Sequence, residues 1–172
     1  VTPFLPCDES LATVCPNVEL PEPIDQSIDG LIDAFPNTAA VNSIREWLSC
    51  HDGTGELSII PMASDVSYFL LSYRDALQEL ESIRFVFENE LSVDHDSNWW
   101  SDNWWPVGSN GAGDLLVVDC GNTKLKGAVL CFSHETRRHV VRAKSILAMF
   151  QDLATGLLEG KYEYRESDNC FV

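Results

Sequence analysis

Apolar positions along the chain change period about halfway. From Ile24 they fall at Ile24, Ile28, Leu31, Ile32 and Phe35, a helical spacing that Pro36 ends. A second stripe, Val41, Ile44, Trp47 and Leu48, predicts a helix capped near Asn37 or Thr38. His51-Asp52-Gly53 closes it, with Gly53 positioned for the left-handed conformation. Leu57–Ile60 and Tyr68–Leu71 are short strand candidates. Ser72 followed by Asp75 resembles a capping box ahead of a helix over about Tyr73–Glu90. Beyond residue 100 the pattern turns to β-branched runs: Trp104–Val107, Leu115–Asp119, Lys126–Phe132 and His139–Ala143. Tight or charged turns separate them and favour antiparallel neighbours. Ser145 then caps a last helix expected to turn Leu147, Phe150, Leu153, Ala154, Leu157 and Leu158 inward, with Gly160 as its stop. The order predicts an α+β fold: one domain, with a mostly antiparallel sheet in its second half, flanked by N-terminal helices and a C-terminal helix.

Composition changes the picture through charge. Eleven Lys and Arg stand against twenty-seven Asp and Glu, a formal net charge of −16. Residues 1–122 hold three bases against twenty-one acids, whereas residues 123–172 hold eight against six. Nucleic-acid binding needs a basic face to displace phosphate counterions, and little is on offer beyond Arg137, Arg138, Arg142 and Lys144. Anionic membranes are disfavoured for the same reason, and no apolar run approaches the ~18 residues that span a bilayer. The start, Val1-Thr2-Pro3-Phe4-Leu5-Pro6-Cys7, lacks the basic and apolar regions of a secretory leader. Six cysteines (Cys7, Cys15, Cys50, Cys120, Cys131 and Cys170) form no C-x-x-C pair. Cys120 and Cys131 sit in apolar runs and read as small buried hydrophobes, in keeping with a reducing cytoplasm, with disulfides the alternative that an even count allows. A broad acidic surface attracts a basic protein and speeds their encounter, although acidity also simply aids solubility.

Catalytic and ligand motifs fail on detail. His134-Glu135-Thr136-Arg137-Arg138-His139 spaces its histidines five apart, where a zinc-protease helix needs four. Asp94-His95-Asp96-Ser97-Asn98 begins like a calcium loop, but Trp99 and Trp105 stand where its Gly and Glu belong. The glycines of Gly108–Gly113 precede a strand, whereas phosphate cradles open a helix. No metal and no cofactor is therefore expected. His51-Asp52 reads as a backbone cap. The strongest local feature is Trp99-Trp100-Ser101-Asp102-Asn103-Trp104-Trp105, with four of the five tryptophans. If extended, it sends alternate rings to opposite sides, one pair inward and the other near the surface. Either all four fill a core edge or at least one anchors an interface.

The run Trp105-Pro106-Val107-Gly108, then Gly113-Asp114-Leu115-Leu116-Val117-Val118-Asp119, then a strand ending Cys131-Phe132-Ser133-His134-Glu135, resembles the SUKH superfamily of Smi/Knr-like proteins. Looser matches are Leu20-Pro21-Glu22-Pro23, Phe35-Pro36, His51-Asp52-Gly53 and Leu158-Glu159-Gly160-Lys161-Tyr162. Ala34 replaces the family's glycine before the Phe-Pro step, and residues 54–103 follow no family pattern. The resemblance covers a domain over 20–164; before it, five prolines and no periodicity within residues 1–23 predict an extended arm at 1–19, and after it comes a C-terminal tail at 165–172. The resemblance implies an immunity protein that binds and occludes a bacterial toxin, often a nuclease, with no catalytic residues; Trp105, Gly113 and Asp114 are read as structural. The expected partner is a basic toxin domain, met by Glu56, Asp65, Asp94, Asp96 and Asp102 with Trp99, Trp100 and Trp104, by a monomer or weak homodimer. Rival readings are a scaffold of a resident complex, or a metal-dependent enzyme using His51, His95 or His134 with nearby acids.

Overall fold

The computed structural model describes residues 9, 11–13, 19–24, 28, 35, 38–62, 66–89, 99–136 and 138–172. Among them are three long helices, α1 (Thr38–Leu48), α2 (Tyr73–Asn89) and α3 (Ile146–Leu158). The strands are β1 (Ser58–Pro61), β2 (Ser67–Leu70), β3 (Trp104–Ser109), β4 (Leu115–Asp119), β5 (Val129–Ser133), β6 (Arg138–Ala143), β7 (Tyr164–Arg165) and β8 (Cys170–Phe171). They form one sheet in the order β6-β5-β4-β3-β2-β1-β8-β7, antiparallel throughout except for the parallel β1–β8 pair. The fold is α+β with a mostly antiparallel, curled sheet, as the apolar pattern predicts.

Cross-strand register sorts side chains onto two faces. Trp104 pairs with Asp119, Leu115 with Phe132, and Phe132 with His139, so these share one face. Trp105 pairs with Val118 and Leu116 with Cys131 on the other. On that second face Val118 meets Ala40 of α1 and Ile146 of α3 around a shared cavity, and Trp47 of α1 stacks on Phe150 of α3 at 4.4 Å. The first face is covered through Trp99, which stacks on Phe87 of α2 and abuts Phe132 edge-on. Every residue of β4 is buried, which is why it reads as an unbroken Leu-Leu-Val-Val run instead of alternating.

Local chemistry sets the boundaries. Ser145 caps α3, its hydroxyl accepting from the Ala148 N–H. The Ser72 hydroxyl donates to Asp75 and accepts from the Asp75 N–H. Asp52 adds a second cap to the same helix, accepting from the Tyr73 N–H at 2.7 Å. Gly53 is left-handed (φ 83°), as expected, but it does not cap α1, which ends five residues earlier. Its missing side chain instead lets it lie against the Leu70–Ser72 backbone.

Four details differ from expectation. Leu158 is exposed, while Ile146 and Met149 are buried, so the inward face of α3 is rotated toward its start. Lys126–Ala128 belong to the β4–β5 turn and not to β5. In the segment expected to be an extended arm, Glu9 and Leu11–Thr13 are helical and Leu11 is buried. The segment expected as a tail supplies β8, with Phe171 fully buried. The stripe from Ile24 to Phe35 falls largely outside the described residues.

Candidate functional site

The tryptophan segment enters from the turn before β3 and packs inward. Trp99, Trp100, Trp104 and Trp105 are 7, 5, 5 and 2% exposed, so no pair stays near the surface. The physical reason is Phe132. Trp99, Trp100 and Trp104 converge on its ring at 5.5, 5.4 and 6.2 Å, mostly edge-on, the geometry that pairs a positive ring edge with a negative face. Trp105 faces the other way, between Tyr73 and Phe35. The Trp100 indole N–H is buried without a hydrogen-bond partner among the described residues.

Beside this cluster lies a cleft of about 380 Å³, walled by Ile83 and Val86 of α2, Trp99 and Leu115, with Glu79, Ser82, Gly113 and His134 at its polar side. Partial burial pushes the Glu79 carboxyl above its ordinary range, and Asp75, one turn back, adds to the rise. The cleft therefore joins apolar walls to a carboxylate that holds its charge at a cost. A cation brought to it would remove that cost.

The rim at His134 is built by the Gly-Asp step. Asp114 accepts from both the backbone N–H (3.0 Å) and the ring Nδ1 (2.8 Å) of His134, tying the start of β4 to the β5–β6 turn. Gly113 is left-handed (φ 99°), and a Cβ there would sit 2.9 Å from the imidazole. The turn before it is held by Asn110, whose side-chain oxygen accepts from the N–H groups of Ala112 and Asp114. Buried Asp119 ends β4 by accepting from the Gly121 N–H and the Thr123 hydroxyl. These motif residues shape turns, as the sequence implies.

Among the described residues, the histidines outside the cleft lie apart from one another. His51 contacts the Pro21 carbonyl oxygen and packs on Trp47, while His139 lies against Trp104. Among the described residues no three His, Cys, Asp or Glu side chains are grouped to hold a metal. Cys50, Cys120, Cys131 and Cys170 are free, and burial pushes the Cys120 and Cys131 thiols up to about 12 and about 11. No helix among the described residues is long and apolar enough to cross a membrane.

Of the expected partner-binding residues, Glu56 and Asp102 are exposed. Glu56 precedes β1 and Asp102 precedes β3, two places apart in the sheet order. Trp99 alone of the three named rings lines the cleft. Asp65, Asp94 and Asp96, with His95, lie outside the described residues. Glu79, Ile83 and Val86 were not singled out from sequence. Their signal was a carboxylate in helical register with apolar residues.

Among curated proteins none matches the chain. Residues 42–152, more than half of it, match the family model described as SMI1 / KNR4 family (SUKH-1). That span holds β1 to β6, the aromatic cluster, the cleft and the Gly113-Asp114 step. The chain belongs to the SMI1/KNR4 (SUKH-1) family.

Proposed function

We propose that this protein acts as an immunity protein, binding a basic toxin domain, of the nuclease kind, and occluding its working surface without catalysing a reaction. SUKH domains are commonly immunity proteins. The observation that carries the reading here is the cleft beside Trp99: apolar walls and a partly buried carboxylate at Glu79, on a chain with a net charge of −16. A lysine or arginine of the partner would enter it, its stem against Ile83 and Val86 and its charge beside Glu79. Exposed Glu56 and Asp102 would steer the approach, imitating the phosphates that a nuclease surface recognises. Trp99 would form the floor of the contact, with Trp100 and Trp104 holding it from behind.

The test is whether a neighbouring gene encodes a secreted protein with a C-terminal toxin module, and whether that module binds this protein, followed kinetically across ionic strength. Association should slow about tenfold or more between low and near-physiological salt. Glu79→Gln should weaken binding without unfolding the protein, and Trp99→Phe should speed dissociation while leaving association unchanged. Affinity indifferent to both salt and Glu79→Gln would overturn the reading.

A further inference from the structure

Among the described residues, β6 is the strand that carries two adjacent exposed large apolar residues, and Arg138, Arg142 and Lys144 stand along or beside it. β6 ends the sheet order and pairs only with β5, so its outer row of backbone groups has no strand partner among the described residues. Val140 and Val141 are 60 and 54% exposed. They oppose Cys131 and Leu130 respectively, so one valine lies on each face. Around them stand exposed Arg138, exposed His139 and half-buried Arg142, with exposed Lys144 just beyond the strand. Glu135, the nearest acid in sequence, sits in the turn before Arg138.

Charge on an edge strand ordinarily repels other strands. Two neighbouring exposed valines do not suit that role, because apolar side chains on both faces favour pairing. Nor does the edge suit a second copy. Antiparallel self-pairing centred on Val140 brings Arg138 toward the other copy's Arg142, the extra residue where the β5–β6 register shifts. That register sets guanidinium against guanidinium. The chain's overall negative charge adds a further repulsion between copies.

We infer that β6 is a docking edge for an extended segment of another protein, with an apolar centre flanked by carboxylates, which adds to the sheet as a ninth strand. Backbone pairing supplies affinity, and Arg138 and Arg142 select the acidic segment. Remote acids of the chain oppose this weakly, since charges beyond about 8 Å are largely screened at physiological salt. The surface is distinct from the acidic cleft, and its partner has the opposite charge.

The experiment uses the full chain and two short blocked peptides, one with adjacent valines flanked on each side by glutamate and one with the same valines flanked by lysine. Hydrogen exchange and fluorescence anisotropy are read together. The glutamate peptide should bind and slow exchange in residues 138–143 about tenfold, while the lysine peptide should not. Reversing the charges with the pair R138E and R142E, at one exposed and one half-buried position, should weaken the glutamate peptide about tenfold and transfer the preference to the lysine peptide. The inference is overturned if neither peptide protects β6, or if both do so equally. Protection that rises with protein concentration alone, with a doubled mass by light scattering, would assign the edge to a second copy and overturn it too. None of these outcomes bears on the cleft, where toxin binding is read separately.

Discussion

Single residues in this protein are constrained by neighbours outside their own helix or strand. Gly156 lies within α3, where alanine ordinarily strengthens a helix. A Cβ there, however, would overlap the Tyr162 ring, which is folded back onto the helix. Gly156→Ala should therefore destabilise the protein by about 1–3 kcal/mol in urea unfolding, and Tyr162→Ala should relieve most of that penalty. If Gly156→Ala stabilised the protein, the ring would not pack where described. The thiols give a second residue-scale expectation. With the Cys120 thiol at about 12, its thiolate fraction at pH 8 is on the order of one in ten thousand. Alkylation of native protein should label half-buried Cys50 well before Cys120 or Cys131, and unfolding should equalise the three. The tryptophans show what sequence leaves open at this scale. Strand alternation governs Trp104 and Trp105, which do face opposite sides. Trp99 and Trp100 precede the strand, and their burial depends on Phe132, which lies about thirty positions away and is named by no local pattern.

At the level of elements, periodicity and punctuation locate most of the fold. The starts of α2 and α3 follow from Ser72 and Ser145, and β3 to β6 follow from β-branched runs broken by Gly and charged turns. The aromatic side of the cleft was likewise legible as a tryptophan run. Its other wall was not, because Glu79, Ile83 and Val86 look like any amphipathic helix until α2 is laid across Leu115. Asp52 is a similar case. From sequence it reads as a cap for the helix it follows, yet it caps the helix that begins 21 residues later, at Tyr73. Asp52→Ala should cost about 1 kcal/mol in thermal or urea unfolding, and Asp52→Asn should recover most of the loss. Equal loss in both variants would mean that charge, and not the hydrogen bond to the Tyr73 N–H, is what matters there.

Across the whole molecule, charge is divided much as the sequence divides it. The first 122 residues carry all of the excess acid, and most of the basic residues follow. The two proposed surfaces draw on this division: a carboxylate cleft against α2 and a guanidinium-bearing edge at β6. What sequence could not supply is closure. A segment expected to trail off instead provides β8, which joins the sheet beside β1. Phe171 is buried there against Tyr164. Phe171→Ala should destabilise the domain by about 3–5 kcal/mol in urea unfolding. A loss under 1 kcal/mol would show that the last strands are an accessory to the domain.

The parallel join of Ser58 to Cys170 links positions 112 residues apart. During synthesis, one side of β1 must wait, its amides and carbonyls satisfied by water alone, until almost every other described element has left the ribosome. A nascent chain halted short of Cys170 would thus display a bare strand of mostly apolar residues, Ser58–Pro61. Such a chain is an obvious substrate for chaperones and degradation, and prematurely terminated copies should be cleared and not accumulate.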